Sequence, residues 1–199
     1  YLHHVLDLWF ERVVKPRCQG EALLCRYADD WVCAFRYRKD AERFYRVLPK
    51  RLEKFNLQVA PEKTRLLRFS RFHPSMRRRI TFLGFDFFWK ADRGGTPRVM
   101  RCTARKKLLA ACRRIKEWIK SNRHLRGGAF FQGLNARLHG HYNYYGVHGN
   151  WHSLSRFFRW AMACVFKWLN RRGGKRASFT WERFGQVLAL VGVARPRIT

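Results

Sequence analysis

Apolar residues at the start of the chain recur every three or four positions: Leu2, Val5, Leu6, Trp9, Phe10 and Val13. That spacing lines one face of an amphipathic helix, which Pro16 is expected to end. Two short β-prone runs follow, Ala22–Tyr27 and residues 31–35, joined by Ala28-Asp29-Asp30. They predict a buried hairpin. Helical spacing returns over residues 39–55, with Ala41, Phe44, Val47, Leu48, Leu52 and Phe55 on one face. Residues 66–69 and 80–89 predict strands, separated by a basic stretch that includes Arg77, Arg78 and Arg79. The segment 92–97, with Gly94 and Gly95, signals a turn, across which residues 99–102 are expected to pair back. Beyond Thr103 the pattern is helical throughout, over roughly 104–121, 129–145, 153–171 and 179–191, and Gly173-Gly174 suits the stop of the third helix. No internal repeat or low-complexity tract interrupts this layout. The expected fold class is α+β followed by a small all-helical domain.

Composition narrows the partners. The chain has 199 residues and carries 43 Lys+Arg against 13 Asp+Glu, a formal net charge of +30. A hydrophobic content of 47% and an aromatic content of 16% exclude a strongly charged disordered chain, which would be poor in aromatics. So basic a surface calls for a polyanion, and nucleic acid is the first candidate. No apolar run approaches the eighteen or so residues of a span, and an acidic membrane surface is the weaker second, because no long amphipathic helix stands apart from a fold. Structural binding of the ribosomal type is a third. The charge is also unevenly divided: residues 1–92 hold +9, and residues 93–199 hold +21 with only Glu117 and Glu182 as acids. Carboxylate chemistry therefore belongs to the first half, and the second reads as a binder. Six cysteines are scattered without a Cys-x-x-Cys pair, as expected of a reducing compartment: cytoplasm, bacterial nucleoid or organelle matrix. The chain opens at Tyr1 without a secretory leader, an opening expected of a segment inside a longer product.

Asp29 and Asp30 are the candidate chemistry. Adjacent carboxylates at a turn repel each other, a cost that makes sense if a divalent cation binds there. Mg²⁺ prefers hard oxygen ligands and partners phosphates. Two such ions about 3.5–4 Å apart can activate a hydroxyl and stabilise a leaving pyrophosphate. Asp29 would be the principal metal ligand, with Asp30 beside it. The bland alternative is a solvated surface turn.

Tyr27-Ala28-Asp29-Asp30, followed by Trp31-Val32, resembles the YADD box of reverse transcriptases, and more specifically that of the reverse transcriptase–maturases encoded by group II introns. The run from Tyr1 to Asp7 (YLHHVLD) resembles the helix after that family's template-contacting segment. Residues 39–55, then Asn56-Leu57 through Glu62-Lys63-Thr64, resemble the next palm helix with its loop. Thr81-Phe82-Leu83-Gly84-Phe85 is similar to the primer-grip strand, and residues 134–145 (LNARLHGHYNYY) are similar to the maturase-specific signature. The resemblance covers almost the whole chain in the family's order. It implies the end of a reverse-transcriptase palm over residues 1–102, and a thumb/maturase helical domain (domain X) over residues 103–199.

The resemblance also implies roles. Asp29 and Asp30 would be catalytic and hold Mg²⁺. Tyr27, Lys63, Phe82, Leu83 and Gly84 would bind substrate or primer, with Lys63 near the incoming triphosphate. For the helical half, charge adds a physical argument: Arg105, Lys106, Arg113, Arg114 and Lys120 line α-helical faces with almost no acid to balance them, so phosphates are the expected counter-charge. Arg137, His141, Asn143, Tyr144 and Tyr145 could stack on or hydrogen-bond unpaired bases. No cysteine lies close enough to His139, His141, His148 or His152 to complete a familiar zinc set. The family's site needs a further Asp from an earlier palm strand; neither Asp7 nor Asp86 matches it, the fingers have no counterpart here, and no HNH-type segment is apparent before Thr199. The expected function is thus a portion of a group II intron reverse transcriptase/maturase that binds intron RNA to assist splicing. The parent would copy an RNA template from a DNA primer with Mg²⁺, and this chain alone would be inactive in polymerisation. The alternative is a stand-alone, non-enzymatic RNA-binding maturase remnant.

Overall fold

The computed structural model describes residues 1–171 and 178–198; the expected helix stop at Gly173-Gly174 lies outside them. The opening amphipathic pattern is helical, with wide π-helical turns at His3–Asp7 and Phe10–Val14 and a 3-10 turn at Lys15–Arg17. Pro16 sits inside that last turn rather than ahead of it, and the chain straightens at Cys18. Val5, Leu6 and Phe10 are buried against β1 (Ala22–Tyr27), β2 (Asp30–Phe35) and α1 (Arg38–Glu53). Phe44 of α1 is the hub of this first core, in ring contact with Trp9, Phe10, Trp31 and Phe35. Phe44, Leu48 and Leu52 form the buried stripe of α1, while Val47 is 43% exposed, so that face is narrower than its sequence suggests.

Two strand expectations change. Residues 66–69 form no strand, and Leu66 is exposed: no neighbouring strand pairs with them, and an unpaired apolar run has no ladder to join. Residues 80–89 form two strands instead of one, β3 (Ile80–Phe82) and β4 (Phe85–Ala91). They fold back on each other about Leu83-Gly84, where φ is +48° and +78°, the paired positive values of a tight hairpin turn. β5 (Pro97–Thr103) completes an antiparallel sheet in the order β3-β4-β5. The Asp92–Gly95 turn does join two strands of one hairpin: Asp92 accepts hydrogen bonds from the Gly94 and Thr96 amides and from Arg98.

The last four helices are α2 (Arg105–Asn122), α3 (Gly127–Tyr145), α4 (Trp151–Leu169) and α5 (Trp181–Leu190). Their second core includes Ile119, Phe130, Leu134, Leu138, Leu154 and Val165, all buried. Each such side chain contributes roughly 1.5–3 kcal/mol relative to exposure. Close approach of α2 and α3 depends on Gly133, where a Cβ would lie 2.7 Å from the Trp118 ring.

One buried amide ties the sheet to the helices. Asn150, fully buried just before α4, accepts from the Thr103 amide at 2.8 Å and donates to the Thr103 hydroxyl at 2.9 Å and the Tyr145 carbonyl at 2.8 Å. The end of β5, the end of α3 and the start of α4 are thus fastened at one point.

Candidate functional site

The β1–β2 hairpin is closed by the Tyr27–Asp30 pair, which leaves Ala28 and Asp29 as its two-residue loop. Ala28 takes φ +52°, the left-handed backbone that a two-residue hairpin demands and that a Cβ makes costly. Asp29 is therefore in the loop, and Asp30 is the first residue of β2; only one of the pair lies in the turn itself. The hairpin is also less buried than expected, with Leu23 and Tyr27 each 66% exposed on its outer face.

Arg26 supports the loop from its inner side. Its guanidinium donates Nε–H to Asp7 Oδ1 and Nη2–H to Asp7 Oδ2, both at 2.7 Å, and Nη1–H to the Ala28 carbonyl at 2.6 Å. This fork holds the Asp7 carboxyl below its ordinary pKa, chiefly through the hydrogen bonds from Arg26. The first helix and the carboxylate loop are thereby fixed to each other. Sequence reasoning missed Arg26, although its alternation with Ala22 and Leu24 put a cation on the inward face of β1.

The six aspartates divide sharply. Asp7 pairs with Arg26, Asp40 accepts from the Gln19 amide, Asp86 accepts from Thr81 and lies near Arg79, and Asp92 binds Arg98. Asp29 and Asp30 are exposed, and neither side chain has a hydrogen-bond or ion-pair partner among the described residues. In a chain of charge +30, two adjacent carboxylates left free of cations are available to an outside one. No group of three or more metal-ligating side chains exists among the described residues.

Residues 1–87 match the family model described as reverse transcriptase (RNA-dependent DNA polymerase). Over that segment the chain is reverse transcriptase-related. The match spans the first helix, the carboxylate hairpin and α1, and ends inside β4; no curated protein matches the chain.

Within the reverse transcriptase-related segment, the other expected contact residues are dispersed. Lys63 is exposed on a turn closed by its amide to the Ala60 carbonyl at 3.1 Å, and no hydrogen bond joins it to Asp29 or Asp30 among the described residues. Phe82, Leu83 and Gly84 belong to the β3–β4 turn, which the helical half covers. Tyr144 donates its hydroxyl to the Leu83 carbonyl at 3.1 Å and stacks on Phe85, and the Tyr145 hydroxyl would lie 3.1 Å from a Cβ at Gly84. Two groups of residues singled out for different ligands thus meet each other. Tyr144 keeps 56% of its surface exposed, whereas Tyr145 is partly buried against the second core.

The remaining helical candidates also separate by exposure. Arg105, Lys106, Arg113, Arg114 and Lys120 are exposed along α2. Arg137 lies over the Trp118 ring at 4.2 Å, and Asn143 accepts a hydrogen bond from Arg197. His141 sits inside: its ring stacks on Phe157 at 3.8 Å, Nε2 has no partner among the described residues, and burial brings its pKa down to about 4 with Arg114 adding to the effect. A neutral, covered imidazole offers little to a nucleic acid surface. Among the described residues, no helix is long and apolar enough to cross a membrane.

Proposed function

We propose that this chain serves a group II intron reverse transcriptase–maturase: its helical half binds folded intron RNA to assist splicing, and its hairpin carboxylates contribute to an Mg²⁺ site for RNA-directed DNA synthesis. The observation that carries the reading is the free Asp29–Asp30 pair, lying inside the reverse transcriptase match while every other aspartate is engaged. Two exposed oxygen donors side by side suit a hard cation. When bound, Mg²⁺ would supply charge stabilisation to a phosphoryl group in transfer. Asp29 and Asp30 would hold it, Arg26 and Asp7 would fix their loop, and Tyr27, exposed across from Asp30, would offer a ring to a sugar or base. Lacking a third ligand among the described residues, the chain is expected not to polymerise alone. The charge of +21 on residues 93–199 supports the RNA-binding role, because so little acid is present to balance it.

Splicing of a panel of group II intron RNAs at limiting Mg²⁺ tests this. At least one intron should splice faster with the chain than with polylysine of equal charge; no acceleration in any overturns the maturase role. In a template–primer extension assay, incorporation that Asp29→Ala abolishes would overturn the expectation that the chain is inactive alone.

A further inference from the structure

Along the seam where α2 and α4 pack together, cations gather without any acid to meet them. Trp160 of α4 donates its indole N–H to the Cys112 carbonyl of α2 at 3.2 Å while remaining 47% exposed. Next along the seam, Cys164 is raised in pKa by burial and pulled back by Lys116 and Lys167, one ammonium from each helix. At the far end, three cations converge on the Trp168 ring: Lys120 Nζ at 5.8 Å, Arg123 at 5.0 Å and Arg171 at 5.6 Å from its centroid. The α4 helix carries no carboxylate, and α2 carries only Glu117, which makes no ion pair within 4 Å among the described residues.

This grouping is costly unless something negative joins it. Cation–π attraction and the C-terminal ends of α2 and α4 offset part of the repulsion at Trp168. They supply no full negative charge, and Lys116 lies before the last turn of α2, although Lys167 is in the last turn of α4. One end of the seam offers a free aromatic face and the other a cluster of donors suited to phosphate oxygens, separated by eight residues of helix, or about 12 Å. Exposed rings beside a cationic track are what a single-stranded nucleic acid requires, with its backbone neutralised and its bases stacked.

We infer that the α2–α4 seam is the RNA-binding track of the helical half, taking the phosphodiester backbone of an unpaired RNA segment on Lys116, Lys167, Lys120, Arg123 and Arg171 and stacking a base on Trp160. The inference rests on the proposed reading of the chain as an RNA binder and adds the surface it uses. Lys167, Arg123 and Arg171 belong to this surface without having been among the sequence candidates.

Binding of the full chain to a labelled oligouridylate, followed by fluorescence anisotropy over a range of salt, tests it. Replacing both seam lysines (Lys116→Gln with Lys167→Gln) should weaken binding several-fold and flatten the slope of log affinity against log salt by about 1.4. The same charge removed from α1 (Lys39→Gln with Arg46→Gln) should leave both nearly unchanged. Trp160→Leu should cost roughly 5- to 150-fold and Trp160→Tyr much less, since a ring remains. If Trp160→Leu does not fold, as circular dichroism would show, the lysine pair and its reversal to glutamate carry the test alone. Equal losses from the seam and α1 variants, or none from either, overturn the seam while leaving RNA binding intact. Wild-type chain that fails to bind, or that binds phosphatidylserine vesicles through the seam in preference to RNA, overturns the seam together with the RNA-binding reading.

Discussion

Asp30 and Asn150 both stand where an element begins, one at the first residue of β2 and the other just before α4, yet their surroundings are opposite. Asp30 is exposed with no side-chain partner among the described residues, and its neighbour Asp29 is the same. Asn150 is fully buried and makes three hydrogen bonds within 2.9 Å. The contrast extends to the regions around them. The first core is built under a hairpin whose outer face is open to solvent, and its free polar groups point to chemistry with something outside the chain. In the helical half, the interior polar groups secure the fold and the charged groups are left to the surface. Stability and ligand binding are therefore separable, and substitutions can show whether the separation is real.

The largest effect is expected at Asn150. Asn150→Ala leaves the buried Thr103 amide only its longer bond to Ser153 Oγ at 3.3 Å and removes the amide bonds from β5 to the end of α3, a loss of about 3 kcal/mol. Urea denaturation should show it as a lower midpoint. A loss below about 1 kcal/mol would mean that the sheet is held to the helices chiefly by other contacts, such as Tyr144 and Tyr145 on the β3–β4 turn.

An effect of similar size is expected from pH. His141 has a folded pKa of about 4 against an ordinary value of 6.5. The unfolded state takes up its proton first as pH falls, so stability is complete above about 6.5 and drains away down to about 4. The interval corresponds to about 3 kcal/mol at most. His141→Phe, which keeps the stack on Phe157, should remove this slope from the pH dependence of the denaturation midpoint. A slope unchanged in His141→Phe would assign the acid sensitivity elsewhere and weaken the picture of an interior without charge.

How far these features were visible in the sequence depends on the kind of signal each leaves. Periodicity marks Phe44, Leu48 and Leu52 as one buried stripe, and it lays out the four later helices to within a few residues. It also bears on His141, which falls three positions after Leu138 and seven after Leu134 on the buried stripe of α3; chemical interest in histidine obscured that placement. The Leu83-Gly84 turn is hidden inside a run of apolar residues, because a leucine at φ +48° leaves no compositional mark. The stretch at 66–69 misleads for the converse reason, since strand composition means little without a partner strand. The Asp29–Asp30 pair is legible as a motif, but its freedom from the cations of the described residues is visible only in three dimensions. Asn150 has no sequence signal beyond the usual preference for Asn before a helix, and it spends its side chain on β5 and α3 instead of capping α4.

The smallest stability effect should come from the residues with the most chemistry. Asp29→Asn with Asp30→Asn removes two exposed carboxylates that touch no cation among the described residues, so unfolding should shift by no more than about 0.5 kcal/mol. The same variant should lose binding of Mn²⁺, used as a paramagnetic stand-in for Mg²⁺ and followed by water-proton relaxation. Both readings are needed, because each half of the result constrains a different claim. Unchanged Mn²⁺ binding would remove the carboxylates from the metal site, whatever the stability. Destabilisation beyond about 1 kcal/mol would instead give the pair a structural duty like that of Asn150, and the contrast between the two halves would fail. Loss of the ion at constant stability is what a site kept free of internal partners should give, since nothing in the fold then depends on the charges that hold the metal.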